Sequence, residues 1–388
     1  MKKISLDSVT NGLIFLYILS IYIFTYREGY NIISNALALL VVLTVWIGIF
    51  ISGKKIRFNL VLLLQLLFIV FCLFTALYAI SPSTVISKVK TLMLIFLVML
   101  TLVNYIDTQE KLKKIIVYFI ISGFVSGVCM LLNSDFSSIT RYGRELGNQN
   151  AVGMNIAISA VFCFYFILSE KKYLYALSYF VMIPCILLTG SRKSLIFLVC
   201  SIVLVLYLTN RNSFTKLLKF ILILVFVVLI FNYLIFQIPI FYQIIGERIE
   251  NLFSFISGKG TEEASMNIRY NMTRLGLDFF INRPLYGYGI DNYRFLYGNT
   301  YSHNNFIELL VGTGIFGFLL FYLTNIILVR HLLRLSKNRE LELICFTLLA
   351  IIVSYILLSP SLVYYDSKHF NILLTMASSI GSEKLIHS

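Results

Sequence analysis

Runs of about twenty apolar residues recur along this chain, separated by short polar linkers. Wound as a helix at 1.5 Å per residue, such a run crosses the roughly 30 Å hydrocarbon core of a bilayer. Backbone groups in lipid are satisfied only in helices or closed barrels, and these runs lack a barrel's apolar–polar alternation. Spans are therefore predicted near 11–26, 32–52, 59–80, 89–106, 115–132, 150–168, 172–189, 193–210, 217–236, 305–328, 341–359 and 369–385, the last being the weakest. The expected fold is an all-α polytopic membrane protein with about 12 transmembrane helices, forming one membrane domain. Nine helices fall in 1–236, a large polar loop occupies 237–304, and about three helices fill 305–388. The first run, Leu13 to Phe24, follows Lys2 and Lys3 without a small-residue cleavage site, and reads as a retained signal anchor.

Composition agrees with this pattern. The chain is 59% hydrophobic and 13% charged, with mean hydropathy +0.87, against about 25% charged residues in a soluble domain. All six cysteines lie inside apolar runs, and no CxxC spacing occurs. Such thiols pack as small hydrophobes, so neither disulfides nor a zinc site is expected.

Charge then orients the chain. Basic clusters at Lys54-Lys55-Arg57, Lys111-Lys113-Lys114, Lys171-Lys172, Arg211-Lys216-Lys219 and Arg330-Arg334-Lys337-Arg339 fall on alternate linkers. The positive-inside rule puts them and both termini in the cytoplasm, so the 237–304 loop faces outward. On this assignment the cytoplasmic side holds five Arg and thirteen Lys, and the outer side nine Arg and five Lys. The outer arginines are Arg27, Arg141, Arg144, Arg192, Arg248, Arg269, Arg274, Arg283 and Arg294. Topology needs only positive charge, whereas planar guanidinium forks suit bidentate recognition of phosphate or carboxylate. An anionic substrate at the outer surface is thus expected, and no nucleic acid.

Individual positions sharpen that expectation. Arg192 sits in the tight turn Thr189-Gly190-Ser191-Arg192-Lys193-Ser194; snorkelling to headgroups is its ordinary alternative use. In the large loop, apolar residues at 268, 272, 275, 279 and 280 predict an amphipathic helix on the membrane surface. Arg269 lies near its apolar face, and Arg274 points elsewhere. Gly287-Tyr288-Gly289 after Pro284 reads as a tight turn in which backbone approaches a ligand. His303 combines an outer position with neighbouring Asn304 and Asn305 and with Glu308 a turn into the next span. An imidazole of ordinary pKa takes a proton from a sugar hydroxyl at neutral pH; its alternative use is to cap that helix. Glu308 is expected to orient the ring or hold an acceptor hydroxyl. Gly312, Gly314 and Gly317 read as a surface for close helix packing. Outer acidic residues are scattered apart from Glu262-Glu263, so arginine rather than a divalent metal is expected to manage phosphate charge.

Four segments together resemble the O-antigen ligase/polymerase superfamily of Wzy and WaaL types, over roughly 140–320. They are Gly190-Ser191-Arg192; Arg269 leading into Pro284-Leu285-Tyr286-Gly287-Tyr288-Gly289; the run from His303-Asn304-Asn305 to Gly317; and Arg144-Glu145-Leu146-Gly147-Asn148-Gln149-Asn150-Ala151, similar to the family's Gly-Asn-x-Asn motif. The resemblance implies a metal-independent glycosyltransferase without cofactor, on the outer face of a bacterial cytoplasmic membrane. It would use glycans on undecaprenyl pyrophosphate as donor and acceptor, with a chain-length regulator as a further partner. Arg192 and Arg269 would hold the pyrophosphate, and His303 would assist the acceptor hydroxyl. Arg144, Asn150, Arg248, Arg274, Gly287, Gly289, Asn304 and Glu308 complete the expected substrate-binding set. A polysaccharide polymerase is the preferred reading, a ligase the alternative. A transporter or flippase is the competing class, but it calls for basic residues deep in mid-span.

Overall fold

The computed structural model describes residues 6–27, 29–135, 141–170, 174–211, 213–257 and 264–381. Lys2, Lys3, Lys171, Lys172, Glu262, Glu263, His387 and the end of the twelfth predicted span lie outside these residues. Among the described residues every regular element is helical. Each predicted span corresponds to a helix: α1 (Leu6–Phe24), α2 (Asn31–Ser52), α3 (Leu60–Phe74), α4 (Pro82–Tyr105), α5 (Gln109–Leu132), α6 (Gln149–Glu170), α7 (Leu174–Leu188), α8 (Arg192–Asn210) and α9 (Phe214–Gln237) precede the loop. The loop holds α10 (Pro239–Phe241), α11 (Glu247–Ile256), α12 (Ala264–Asn282) and α13 (Tyr293–Leu296); α14 (Asn305–Leu335), α15 (Glu342–Leu357) and α16 (Lys368–Ser379) follow it.

Among the described residues eight helices are long and apolar enough to cross a membrane, or nine if α9 and the segment beyond its bend count as one span. Phe50, Leu77 and Phe180 are more than three-quarters exposed, a surface that only lipid would cover at low cost. The predicted twelfth span is a different kind of element. α16 has 12 residues, about 18 Å of helix, and packs among α4, α14 and α15 with nearly every residue buried.

Two close contacts set the geometry near the functional end of the bundle. A Cβ on Gly153 of α6 would come within 2.7 Å of the Ser194 and Thr189 hydroxyls, so glycine lets α6 approach the start of α8. In α12, a Cβ on Gly276 would lie 2.2 Å from the Ile307 side chain. Met272, Tyr293, Ile307 and Val311 form a small core there, with Phe279 and Phe280 against it. The predicted amphipathic helix thus exists, and its apolar face rests on α14.

α14 is not a smooth packing surface. Gly314 adopts φ 63°, ψ −166° and interrupts the helix, a conformation open essentially to glycine. The carbonyls freed by the break are satisfied by the glycine turn: Tyr288 N donates to Val311 O at 2.8 Å and Gly289 N to Gly312 O at 2.9 Å. Ile315 N in turn donates to Pro284 O at 2.8 Å. Gly287 and Gly289, expected to bring backbone to a substrate, therefore bring it to the broken helix. Close approach to backbone is the physical need in either case, which is why the sequence alone did not separate them.

Candidate active site

The turn between α7 and α8 is built for tight approach. Gly190 has φ 60°, and a Cβ there would sit 2.8 Å from Ile244 O. Ser191 caps α8, so Arg192 and Lys193 occupy its first turn. Helix N-termini carry partial positive charge that favours anions. Two cations placed there add to that field. Arg192 is anchored by donation from Nη1 to Arg248 O at 2.6 Å. Arg141 reaches the same turn, donating from Nε to Thr189 O and from Nη2 to Asn150 Oδ1, both at 2.8 Å. Lys193 feels the charges of Arg269, Arg192 and Arg141 together. Four cations from α6's leading segment, α8 and α12 thus converge.

His303 stands at the edge of this cluster with φ 58°, uncommon for a residue with a β-carbon. Its neighbours impose that conformation. Glu308 Oε2 accepts from both Ser302 N at 2.8 Å and Ser302 Oγ at 2.7 Å. Asn304 Oδ1 caps α14, accepting from Phe306 N and Ile307 N. Asn305 Oδ1 accepts from Tyr364 N and Tyr365 N, tying α14 to the segment before α16. The imidazole itself packs at a tilt against Tyr301, ring centroids 4.1 Å apart. Partial burial, then the charges of Arg269 and Lys193, lower its pKa from the ordinary 6.5 to about 4. His303 is therefore neutral at pH 7, and its value departs from the unperturbed one that the sequence suggested.

Two adjoining cavities open here. The smaller, about 100 Å³, is lined by His303, Lys193, Tyr301, Asn150 and Asn155. The larger, about 620 Å³, lies on the far side of Tyr301, Tyr26 and Asn148, which line both. Its walls include Glu308, Lys88, Asp291 and Asp366. Lys88 pairs with Asp366 at 2.6 Å and Asp291 at 3.5 Å.

Of the residues singled out in the sequence, the structure gathers His303, Arg192, Arg269 and Asn150, with the Arg248 backbone as a brace. Arg144 and Arg274 are exposed and line neither cavity. Asn304, expected on substrate, caps a helix. Glu308 bonds Ser302 instead of the imidazole. The residues overlooked are Lys193, Lys88 and Lys368, with Arg141 named as outer but not as part of a site. Preference for arginine's fork hid them. The available signal was that these lysines are three of the only five assigned to the outer side.

The architecture is that of a multi-pass helical membrane protein with a cation and histidine cluster at one end of its helices. Residues 177–322 match the family model described as O-antigen ligase, in line with the O-antigen ligase/polymerase resemblance carried by the sequence motifs. A search of curated proteins finds no match. The matched segment carries Arg192, Lys193, Arg269 and His303, while Lys88, Arg141, Asn148, Asp366 and Lys368 lie outside it.

Proposed function

We propose that this protein polymerises lipid-linked oligosaccharide repeat units, transferring a growing glycan from a polyprenyl diphosphate to a hydroxyl of the next unit. The observation that carries this reading is a neutral histidine held in a left-handed conformation against four converging cations. In the reaction the acceptor oxygen bonds to the anomeric carbon, and the bond from that carbon to the diphosphate oxygen breaks. The electron pair leaves with the diphosphate, stabilised by Arg141, Arg192, Lys193, Arg269 and the α8 N-terminus, and His303 takes the hydroxyl proton. Preorganised cations in a water-poor site stabilise such developing charge most effectively.

The cluster also orders the events. Arg269 and Lys193 both depress His303. A bound diphosphate opposes their field, so donor binding makes the imidazole a stronger base. The basic groups sit at helix ends, which favours chemistry at one surface over a transport path through mid-span. The placement of the lysine clusters on alternate linkers supports an outer-face site.

Analysis of surface glycan from a deletion strain tests the polymerase reading. Loss of long chains, with single repeat units still attached, is expected. Full-length chains left unattached would instead make the protein a ligase.

A further inference from the structure

The larger cavity has two walls of opposite character. On one, Lys88 is neutralised by Asp366 and Asp291, and Arg294 donates to Asp291 at 2.7 Å. On the other stands Lys368, whose ammonium donates to Ser34 Oγ at 2.6 Å and Asn35 Oδ1 at 2.8 Å. Both partners are neutral, and among the described residues no carboxylate lies within ion-pair distance of Lys368. Its position is electrostatically adverse. Lys368 opens α16, which Ser367 caps, while Ser34 and Asn35 lie in the opening turns of α2. Two helix N-termini, each partly positive, thus flank a partly buried cation. Beside it His369, 2% exposed, lines the same wall, and its Nε2 has no hydrogen-bond partner. Buried polar groups are ordinarily paired. An anion entering the cavity would meet Lys368, Asn35 and His369, which all line it.

We propose that this wall is a subsite for an acidic sugar of the acceptor glycan, its anionic group held by Lys368 between the first turns of α2 and α16. The assignment rests on the glycosyltransferase reading above. In a displacement the hydroxyl approaches away from the leaving diphosphate. The larger cavity shares Tyr301 with the one that holds His303 and is lined by none of Arg141, Arg192, Lys193 and Arg269; it is therefore assigned to the acceptor. Its size, about 620 Å³, falls within the 300–1,000 Å³ or so of ligand pockets. Asn148 and the tyrosines supply the hydrogen-bonding and aromatic surfaces that sugar rings use. A sugar carboxylate and a phosphate substituent share the chemistry Lys368 recognises.

The test uses repeat-unit oligosaccharide released by mild acid from the lipid carrier of cells lacking the protein. Its binding to the full chain in lipid nanodiscs is measured by calorimetry, before and after carbodiimide–borohydride reduction of carboxyl groups, and separately after dephosphorylation. Removing the anion is expected to weaken binding to the wild-type protein about tenfold or more, the scale of one charge-assisted hydrogen bond. Whichever treatment does so names the anion. Lys368→Met should bind the native repeat as weakly as wild-type binds the treated one. A repeat unit without acidic groups, equal binding of all forms by wild-type, or wild-type affinity in Lys368→Met would overturn the assignment. Inorganic pyrophosphate is titrated in parallel and should bind Lys368→Met normally but Arg269→Lys weakly. Unimpaired pyrophosphate binding by the arginine variant would sink the catalytic reading without touching the sugar result.

Discussion

The Glu308 carboxylate accepts from both the backbone N–H and the hydroxyl of Ser302, at 2.8 and 2.7 Å, and so holds the residue that follows, His303, in place. Glu308 is 2% exposed; without its carboxylate the Ser302 hydroxyl can still donate to Asn304 O at 2.8 Å, but the buried Ser302 N–H loses its acceptor. Glu308→Ala should cost about 1–3 kcal/mol of stability and lower turnover, whereas Glu308→Gln, which still offers an acceptor oxygen, should retain most of both. Thermal unfolding in detergent alongside a polymerisation assay separates the two variants. Equal damage by both would show that the carboxylate acts directly on substrate.

His303→Asn tests the proton acceptor with little disturbance of the turn, since asparagine tolerates the left-handed region. Turnover is expected to fall by roughly 10²–10⁴, the range for lost general-base catalysis. Pyrophosphate binding and the amount of folded protein in the membrane should be unchanged. Normal polymer from this variant would remove His303 from the chemistry.

Among the arginines, position and not charge should decide the outcome. Arg192→Lys and Arg269→Lys are expected to reduce the rate roughly 10²–10³-fold, the loss seen when one preorganised donor to a developing anion goes. Arg144→Ala and Arg274→Ala, both exposed, should stay within about 0.5 kcal/mol, or roughly twofold. Initial rates with a lipid-linked donor give the comparison. A severe Arg274 defect would place the donor on the wrong side of α12.

The pH profile carries a signed expectation. His303 accepts a proton only when neutral, and its pKa is lowered to about 4 in the empty site. The acid limb of kcat/KM, which reports the free enzyme, should therefore lie near pH 4, with activity lost below it. Under saturating donor the limb should move upward, because the diphosphate offsets Arg269 and Lys193. A limb that ignores donor would contradict the proposed coupling.

Gly314→Ala should prevent correct folding and not merely slow catalysis. A Cβ there would lie 2.2 Å from Leu285 O, and the glycine-only backbone region adds about 1–3 kcal/mol of strain. Size-exclusion profiles in detergent should show loss of monodisperse protein, with Gly312→Ala the milder change, its nearest atom being 3.3 Å away.

Much of this architecture was legible in the chain. Apolar run length decided helix or not, because a bilayer leaves backbone groups no other partner. His303 and Arg192 stood out for a similarly local reason: each is a functional residue type set at the polar edge of an apolar run. Glu308 and Asn304 could not be assigned that way. Both lie within hydrogen-bonding reach of several donors along the sequence, and folding selected Ser302 and the α14 amides.

Local residue pattern was enough to specify the helical membrane class, the position of the apolar helices and the arginine–histidine character of one polar end. Tertiary structure alone decided that Gly287 and Gly289 fill a break in α14, that α16 is an interior helix, and that Lys88, Lys193 and Lys368 join the site. The reason is that lysine's point charge has no local signature. Its meaning depends on what lies across space, and residues 88, 193 and 368 come to line two adjoining cavities only when helices far apart in the chain are packed together.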